Sequence, residues 1–293
     1  MKLYNDKFKW YRGGLHIHTT ASDGKVSSEE CVELYKNNGY DFIAITDHWK
    51  ITEIPSREDF IVLKGCEYDF LDSEKRSTCH IVAVGIEKAL IKGEVSTRQY
   101  AIDDIRKQGG ISIIAHPHWS YMSTEELIAL KDYDGIEIYN SVCDVERDTG
   151  DGSSYIDAIS IKGLTPKIFA TDDTHRYSYE LFKGFIMVNS PEFTAEALID
   201  NIRKGNFYSS QGPKIYQIEV EEDYIRIETS PLKKIIFHPD SSWTGTNYLA
   251  EDGKSLTEAV HKIHPLNRSI RVEGIDEMGR KVWSQHIKVN VKK

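Results

Sequence analysis

The sequence holds little that would staple the chain, anchor it or supply a covalent nucleophile. It has only four cysteines, Cys31, Cys66, Cys79 and Cys143, and no C-x-x-C pair among them. A disulfide framework and a thiolate zinc knot are both excluded on that count, and the thiols are expected to be reduced and mostly buried. No run approaches the roughly 20 apolar residues that cross a bilayer. Residues Met1 to Lys7 lack the apolar core of a signal peptide, so the expectation is a cytoplasmic protein with no membrane partner. No repeat or low-complexity segment is present. There is no G-x-S-x-G and no paired Ser/His signature, which removes the common routes to a serine nucleophile. Positive charge is also short. With 37 Lys and Arg against 46 Asp and Glu, the net charge is −9, which disfavours stable binding to long nucleic acid unless bound cations change the local field. What remains is an ordinary globular composition, 40% hydrophobic and 28% charged over 293 residues. That length suits one large domain, or a medium domain with a small one.

Histidines at the ends of apolar runs are what the chain does have. In Gly14-Leu15-His16-Ile17-His18, a strand would place both imidazoles on one face. Asp23 follows a turn of small hydroxyl residues, and Gly24 is expected to use positive φ. Two solvated histidines on a strand would look the same at this point, so the pattern needs support from elsewhere. It comes from Asp41 to Thr46, a short apolar run that ends in Asp47-His48. Phe60 to Gly65 leads to Cys66-Glu67, and Cys79 to Gly85 carries His80 near its start. Ile111 to Ala115 ends in His116-Pro117-His118, Gly135 to Tyr139 in Asn140, and Lys167 to Thr171 in Asp172-Asp173-Thr174-His175. Phe185 to Val188 is a last strand of this kind.

Helical stretches lie between these runs. One starts at Ser27, with Glu30 placed as in a capping box, and stops at Gly39. Others are expected from about Ser96 to Gln108, from Ser123 or Thr124, from Ser154 to Ile161 and from Thr194 to Lys204. The alternation predicts a parallel sheet with right-handed crossovers. Ligand-type residues at the ends of some seven strands predict a closed or nearly closed (β/α) barrel, since an open sheet would gather its site at one crevice. Weak helical signal between residues 50 and 95 predicts irregular elements there. From residue 212 the runs are short and alternating: Ile215 to Val220, Tyr224 to Glu228, Lys234 to Phe237, then Ser269 to Glu273 and Val282 to Val291 about a polar turn. We therefore expect an α/β unit over residues 1–211 and a small antiparallel β domain, a sandwich, over 212–293.

The candidate ligands are His16, His18, Asp23, His48, Glu67, His80, His116, Asp173 and His175. Nitrogen and oxygen donors without a thiolate suit Zn, Mn or Fe, and nine are too many for one ion but fit two or three. For His80, on an apolar run, a hydrogen-bonded core histidine is the competing reading. As substrate contacts, His118 and Asn140 lie at strand ends, while Arg76 and Arg176 flank ligand segments and could grip a phosphate. Each arginine could equally be a solvated surface side chain. Trp119 and Tyr121 could stack on a leaving group or simply pack.

Taken together, Leu15-His16-Ile17-His18-Thr19 through Ser22-Asp23-Gly24, Ile45-Thr46-Asp47-His48, Ile114-Ala115-His116-Pro117 and Asp173-Thr174-His175 resemble the four motifs of the polymerase and histidinol phosphatase (PHP) family, over roughly residues 10 to 209. The resemblance implies a distorted (β/α)7 barrel, a di- or trinuclear metal centre and hydrolysis of a phosphoester. It also implies that Glu67 bridges metals and that His80, in an H-x-x-x-G strand, is a ligand. Asp23 stands where many members have histidine. The stretch from Asn201 to Pro213, followed by strands, resembles a branch with an appended β domain, loosely named after carbaryl-type ester hydrolases. The expected activity is cleavage of a small phosphomonoester or nucleotide by water whose pKa metal coordination lowers from 15.7 toward about 7, with Asp173 or a neighbouring water handling the proton. A carboxyl or carbamate ester hydrolase is the alternative. A non-catalytic metal-binding interaction module is the reading from another class.

Overall fold

The computed structural model describes residues 1–95 and 97–289. The Ser96 start of one expected helix and the Val291 end of the last expected strand lie outside them. The first part of the chain runs β1 (Lys9–Gly14), α1 (Ser28–Asn37), β2 (Phe42–Ile45), β3 (Ile61–Asp72), β4 (Ser77–Val84), α2 (Arg98–Lys107), β5 (Ile111–Ile114), α3 (Thr124–Ala129), β6 (Gly135–Asn140), α4 (Ser141–Arg147), α5 (Ser153–Ser160), β7 (Lys167–Thr171), β8 (Phe185–Ser190) and α6 (Ala195–Lys204). Nine strands follow: β9 (Phe207–Ser210), β10 (Ile215–Val220), β11 (Tyr224–Leu232), β12 (Lys234–Pro239), β13 (Thr246–Leu249), β14 (Leu256–Lys262), β15 (Ser269–Ile275), β16 (Lys281–Trp283) and β17 (Ile287–Lys288).

The fold is mixed α/β with one large sheet. β1, β2 and β3 pair in parallel, as do β5, β6 and β7. Strands β2 and β5 are buried along their whole length, as short all-apolar runs inside a covered sheet should be. The wholly parallel expectation fails at β4, which pairs antiparallel with both β3 and β5. The chain turns back directly between Asp72 and Ser77, and with no crossover helix there only a hairpin can form. β8 also runs antiparallel to β1, and β9 to β8.

Capping residues set the helix starts. The Ser27 hydroxyl accepts the Glu30 amide, and Ser123 with Glu126 forms a reciprocal capping box. Helix α4 was not anticipated. It begins immediately after β6, with the Asn140 side chain accepting the Cys143 amide.

The large sheet continues past residue 212, because β16 pairs antiparallel with β9 and leads on to β15, β12 and β13. A separate three-stranded sheet, β10–β11–β14, is antiparallel throughout. Ile218, Ile225 and Ile227 from it share one core with Ile235, Phe237, Ile270 and Val272 of the large sheet, and with Tyr4 and Tyr208. No helix among the described residues is long and apolar enough to cross a membrane.

Candidate metal centre

The ends of β1, β2, β5 and β7 and the middle of β3, which runs on past Glu67 instead of ending there, bring the candidate ligands to one place. His16 Nε2 lies 3.3 Å from Glu67 Oε1 and 3.2 Å from Asp173 Oδ1. His18 Nε2 lies 3.2 Å from Glu67 Oε2 and 3.3 Å from the same Asp173 oxygen. His116 Nε2 is 3.5 Å from Glu67 Oε1. On the outer side, Asp23 sits 3.3 Å from His175 Nε2 and 3.6 Å from His48 Nε2. Three sets have ligand atoms close enough to share an ion: His16, Glu67 and His116; His16, His18 and Asp173; and His18, Asp23, His48 and His175. Of the nine candidates only His80 is outside these sets. Its Nδ1 approaches Glu67 Oε1 at 2.9 Å, so it stands beside the cluster through that carboxylate.

Orphaned atoms test whether these residues suit a metal. His16 Nε2, His18 Nε2, His48 Nδ1 and Asp173 Oδ1 are buried with no hydrogen-bond partner among the described residues. A buried polar atom left unsatisfied costs about 1–3 kcal/mol; His16 Nε2 and His18 Nε2 both face Asp173 Oδ1, and His48 Nδ1 faces Glu67 Oε2 at 3.4 Å, so a shared partner would satisfy them. Donors about 2.1 Å from an ion in tetrahedral array stand about 3.4 Å apart, which matches the 3.2–3.5 Å spacings quoted above. The residues therefore fit a divalent ion.

Hydrogen bonds behind the cluster fix which nitrogens face it. Nδ1 of His16 donates to Glu137 Oε1 at 2.8 Å, which leaves Nε2 as the lone-pair nitrogen. Nδ1 of His175 does the same to the Asp173 carbonyl at 2.8 Å. His116 and Asp173 both hold positive φ, 29° and 53°, a strained backbone of the sort found at sites whose surroundings over-determine it. Gly24 does not use positive φ. It is glycine because a Cβ there would meet the His18 carbonyl oxygen at 2.2 Å.

The electrostatics are those of a self-neutralising cluster. Burial opposes a charge on His16, yet Asp173, Glu67 and Glu137 together lift its pKa well above the ordinary imidazole range. Burial likewise works against ionising Glu67 and Asp173, but the surrounding histidines, His16 foremost, hold both carboxyls well below their usual range. Deprotonated imidazoles and ionised carboxylates are the metal-binding forms, so an entering dication would displace protons from the histidines.

Four carboxylates that the sequence did not single out build the frame. Glu137, in the middle of β6, accepts His16 Nδ1, the His116 amide, Asn140 Nδ2 and Thr171 Oγ1 at 2.7–2.8 Å. Asp47 accepts the Thr19 amide and hydroxyl and the Ser22 hydroxyl, all at 2.8 Å. Asp172 holds the Tyr35 hydroxyl and the amides of Phe182, Lys183 and Gly184. Glu180 takes the amides of residues 175–178. A charged residue inside an apolar run, as in Gly135-Ile136-Glu137-Ile138, was the available signal.

A cavity of about 370 Å³ opens over the cluster, walled by Asp23, Lys25, His48, Glu67, His80, His116, Trp119, Val142, Cys143, Glu146, Asp173, His175 and Arg176. Of the expected substrate contacts, Arg176 lines it, but its guanidinium is paired to Glu146 at 2.8 Å. Asn140 is buried, and its amide nitrogen is used on Glu137 and Asp173. Arg76 sits exposed at the tip of the β3–β4 turn and His118 packs near Tyr155, both away from the cavity wall. Trp119 presents its edge to His80 and His116, whereas Tyr121 is exposed and outside the wall.

Comparison with known proteins finds a solved structure of similar fold and one relative in sequence. No family model matches the sequence. The fold is similar over 97% of this chain and 96% of the other to a two-domain protein from Bacteroides vulgatus containing a predicted PHP-like metal-dependent phosphoesterase, with a TM-score of 0.52 and 13% identity. A partial likeness, at TM-score 0.41 and 17% identity over 57% of this chain and 89% of the other, is to an amidohydrolase from Chromobacterium violaceum with bound sulfate and no metal. In sequence, 133 residues are 27% identical to the DNA polymerase/3'-5' exonuclease PolX of Bacillus subtilis, covering 36% of this chain and 23% of that protein. The match thus spans about a quarter of the relative's length. The chain thus shares the fold of a two-domain protein containing a predicted PHP-like phosphoesterase, and the four motifs that resemble those of the PHP family meet at one candidate metal centre.

Proposed function

We propose that this protein is a metal-dependent phosphoesterase acting on small phosphomonoesters, nucleotides among them. We read strands β1 to β7 as the distorted (β/α)7 barrel, with the strands after residue 212 as an appended β domain. The observation that carries the functional reading is the set of four buried ligand atoms, without a partner among the described residues, beneath an open cavity. His16, His18, Glu67, His116 and Asp173 would hold the closest pair of divalent ions, and His48, His80, Asp23 and His175 would complete a cluster of two or three. Imidazole and carboxylate donors suit Zn, Mn or Fe. Such ions, when bound, polarise a phosphoryl oxygen and make a water acidic enough to act as nucleophile near neutral pH.

The chain's own residues do the rest. Glu137 keeps the proton of His16 on Nδ1 and so presents Nε2 to the cluster. Asn140 Nδ2 donates to Asp173 Oδ2 at 3.0 Å, leaving Oδ1 directed inward, where it can take the proton of the attacking water. Trp119, Val142 and Cys143 give the cavity an apolar flank for the organic part of an ester. Arg176 remains as a phosphate contact, while Arg76, His118 and Asn140 are set aside for the placements described above. The four cysteines are free and buried, which suits a reducing compartment such as the cytoplasm.

Elemental analysis of protein purified without chelator, run beside hydrolysis of an aryl phosphate and an aryl carboxyl ester, tests the proposal. Two or three metal equivalents with phosphate release are expected. Ester cleavage alone would overturn the phosphoesterase reading. Protein that stays metal-free after incubation with Mn and Zn would overturn the ligand assignment.

A further inference from the structure

The cavity wall is uneven in charge. Among its described lining residues the acids are Asp23, Glu67, Glu146 and Asp173, and the full cations are Lys25 and Arg176. Arg176 is taken by Glu146. Lys25 is exposed and has no ion-pair partner among the described residues. Some surface lysines elsewhere do find one: Lys36 reaches Asp59, Lys64 reaches Glu87 and Lys204 reaches Asp200, all within 2.7 Å.

The backbone beneath Lys25 is held firmly. Its own amide donates to the His175 carbonyl at 2.9 Å, Gly24 donates to Thr19 at 2.9 Å, and Thr20 donates to Val26 at 2.9 Å. The neighbouring Gly24 leaves no room for even a Cβ against His18. The turn that carries Asp23 to the cluster therefore also delivers an unpaired ammonium to the cavity mouth, tied to the segment that carries His175. Fixing the backbone of this turn removes the main-chain part of the ordering cost that gripping a ligand incurs.

We propose that Lys25 is a substrate-binding residue that contacts the anionic phosphoryl group of ligands in this cavity. The inference deepens the hydrolase reading above and rests on it for the identity of the cavity. A lysine ammonium is a compact point charge that suits a non-esterified phosphate oxygen, and a charge-assisted contact of this kind is among the stronger hydrogen bonds. Arg176 supplies a second cation only if it leaves Glu146. Lys25 needs no such exchange.

The test uses the full chain loaded with metal, with inorganic phosphate as the calorimetric probe and an aryl phosphate as the kinetic one. Lys25→Ala is expected to weaken phosphate binding and raise KM by roughly 10- to 100-fold, with kcat moved far less, and Lys25→Arg to recover most of the loss. Metal content and thermal melt matching the unaltered protein separate this from a folding defect. Phosphate affinity and KM indistinguishable from those of the unaltered protein would overturn the role given to Lys25 and leave the phosphoesterase reading standing. If the unaltered protein cleaves no aryl phosphate, that reading falls by itself. The phosphate titration then still decides for Lys25, because affinity lost in Lys25→Ala supports the contact, and unchanged or absent binding refutes it.

Discussion

Replacing Glu137 by glutamine probes the frame of the site with the smallest change in shape. The carboxylate accepts four donors, two on each oxygen: His16 Nδ1 and Thr171 Oγ1 on Oε1, and the His116 amide and Asn140 Nδ2 on Oε2. A carboxamide has one acceptor oxygen and one donor nitrogen. Whichever way it turns, two buried donors face an N–H where an acceptor stood. At about 1–3 kcal/mol for each orphaned donor, Glu137→Gln should cost about 2–6 kcal/mol of stability, a large part of the about 5–15 kcal/mol a whole domain has. Glu137→Ala orphans all four and is expected to fold poorly, so glutamine is the informative variant. Carboxylates that orient metal-binding histidines typically account for about 10–100-fold in metal affinity. Thermal denaturation of chelator-treated protein should therefore show a lower Tm, and calorimetric titration with Zn or Mn should show weaker binding by that factor. A Glu137→Gln protein that keeps both its melting temperature and its metal affinity would refute the idea that this carboxylate organises the site.

Three further outcomes follow from the geometry. Asp173→Asn keeps the shape and can keep an acceptor for Asn140, but it removes the inward charge shared by His16 and His18. kcat should fall by more than about 100-fold, beyond the loss typical of residues behind the ligands, with the circular dichroism spectrum unchanged, and retained turnover would remove Asp173 from the mechanism. Gly24→Ala would press a Cβ against the His18 carbonyl. It should cost about 1–3 kcal/mol as overpacking does and weaken metal uptake, and an unshifted melt would contradict the packing described. Away from the centre, burial and then the positive Arg271 push the His286 pKa down to about 4 from 6.5. The folded pKa is depressed, so its contribution is fully present above pH 6.5 and is lost as pH falls toward 4, at up to about 1.4 kcal/mol per pH unit. Chemical denaturation across that window should show a shallower slope for His286→Gln than for the unaltered protein, and equal slopes would refute the assignment.

What could be read from the sequence and what could not divide along the range of the interactions. Each metal-ligand candidate announces itself locally, because a strand buried on both faces is an unbroken apolar run, and the polar residue that ends it must have a partner at the sheet's edge. His16, His48, His116 and Asp173 follow strand ends, whereas Glu67 proves to lie inside β3, and the structure draws them together. For the residues that hold them in place the local signal is faint, a charge inside an apolar run at Glu137, and it does not say which partners they serve. Glu137 acts on His16 and His116, which are 121 and 21 residues away, and Asp47 acts on a turn 25 to 28 residues before it. Arg76 and Asn140 illustrate the same limit from the other side. Arg76 flanks a ligand segment and Asn140 ends a strand, which suggested substrate contacts, but a hairpin turn carries Arg76 out of the cavity, and the buried acceptors on Glu137 and Asp173 occupy Asn140. The antiparallel placement of β4 follows from a tight turn too short for a crossover, whereas the β9–β16 pairing that joins the C-terminal strands to the large sheet links segments some 70 residues apart. Such a pairing depends on which edge the preceding fold leaves free, and no periodicity in either strand encodes it. The chemistry of this chain is therefore written in short motifs, while its precision rests on buried carboxylates whose partners only the folded sheet supplies.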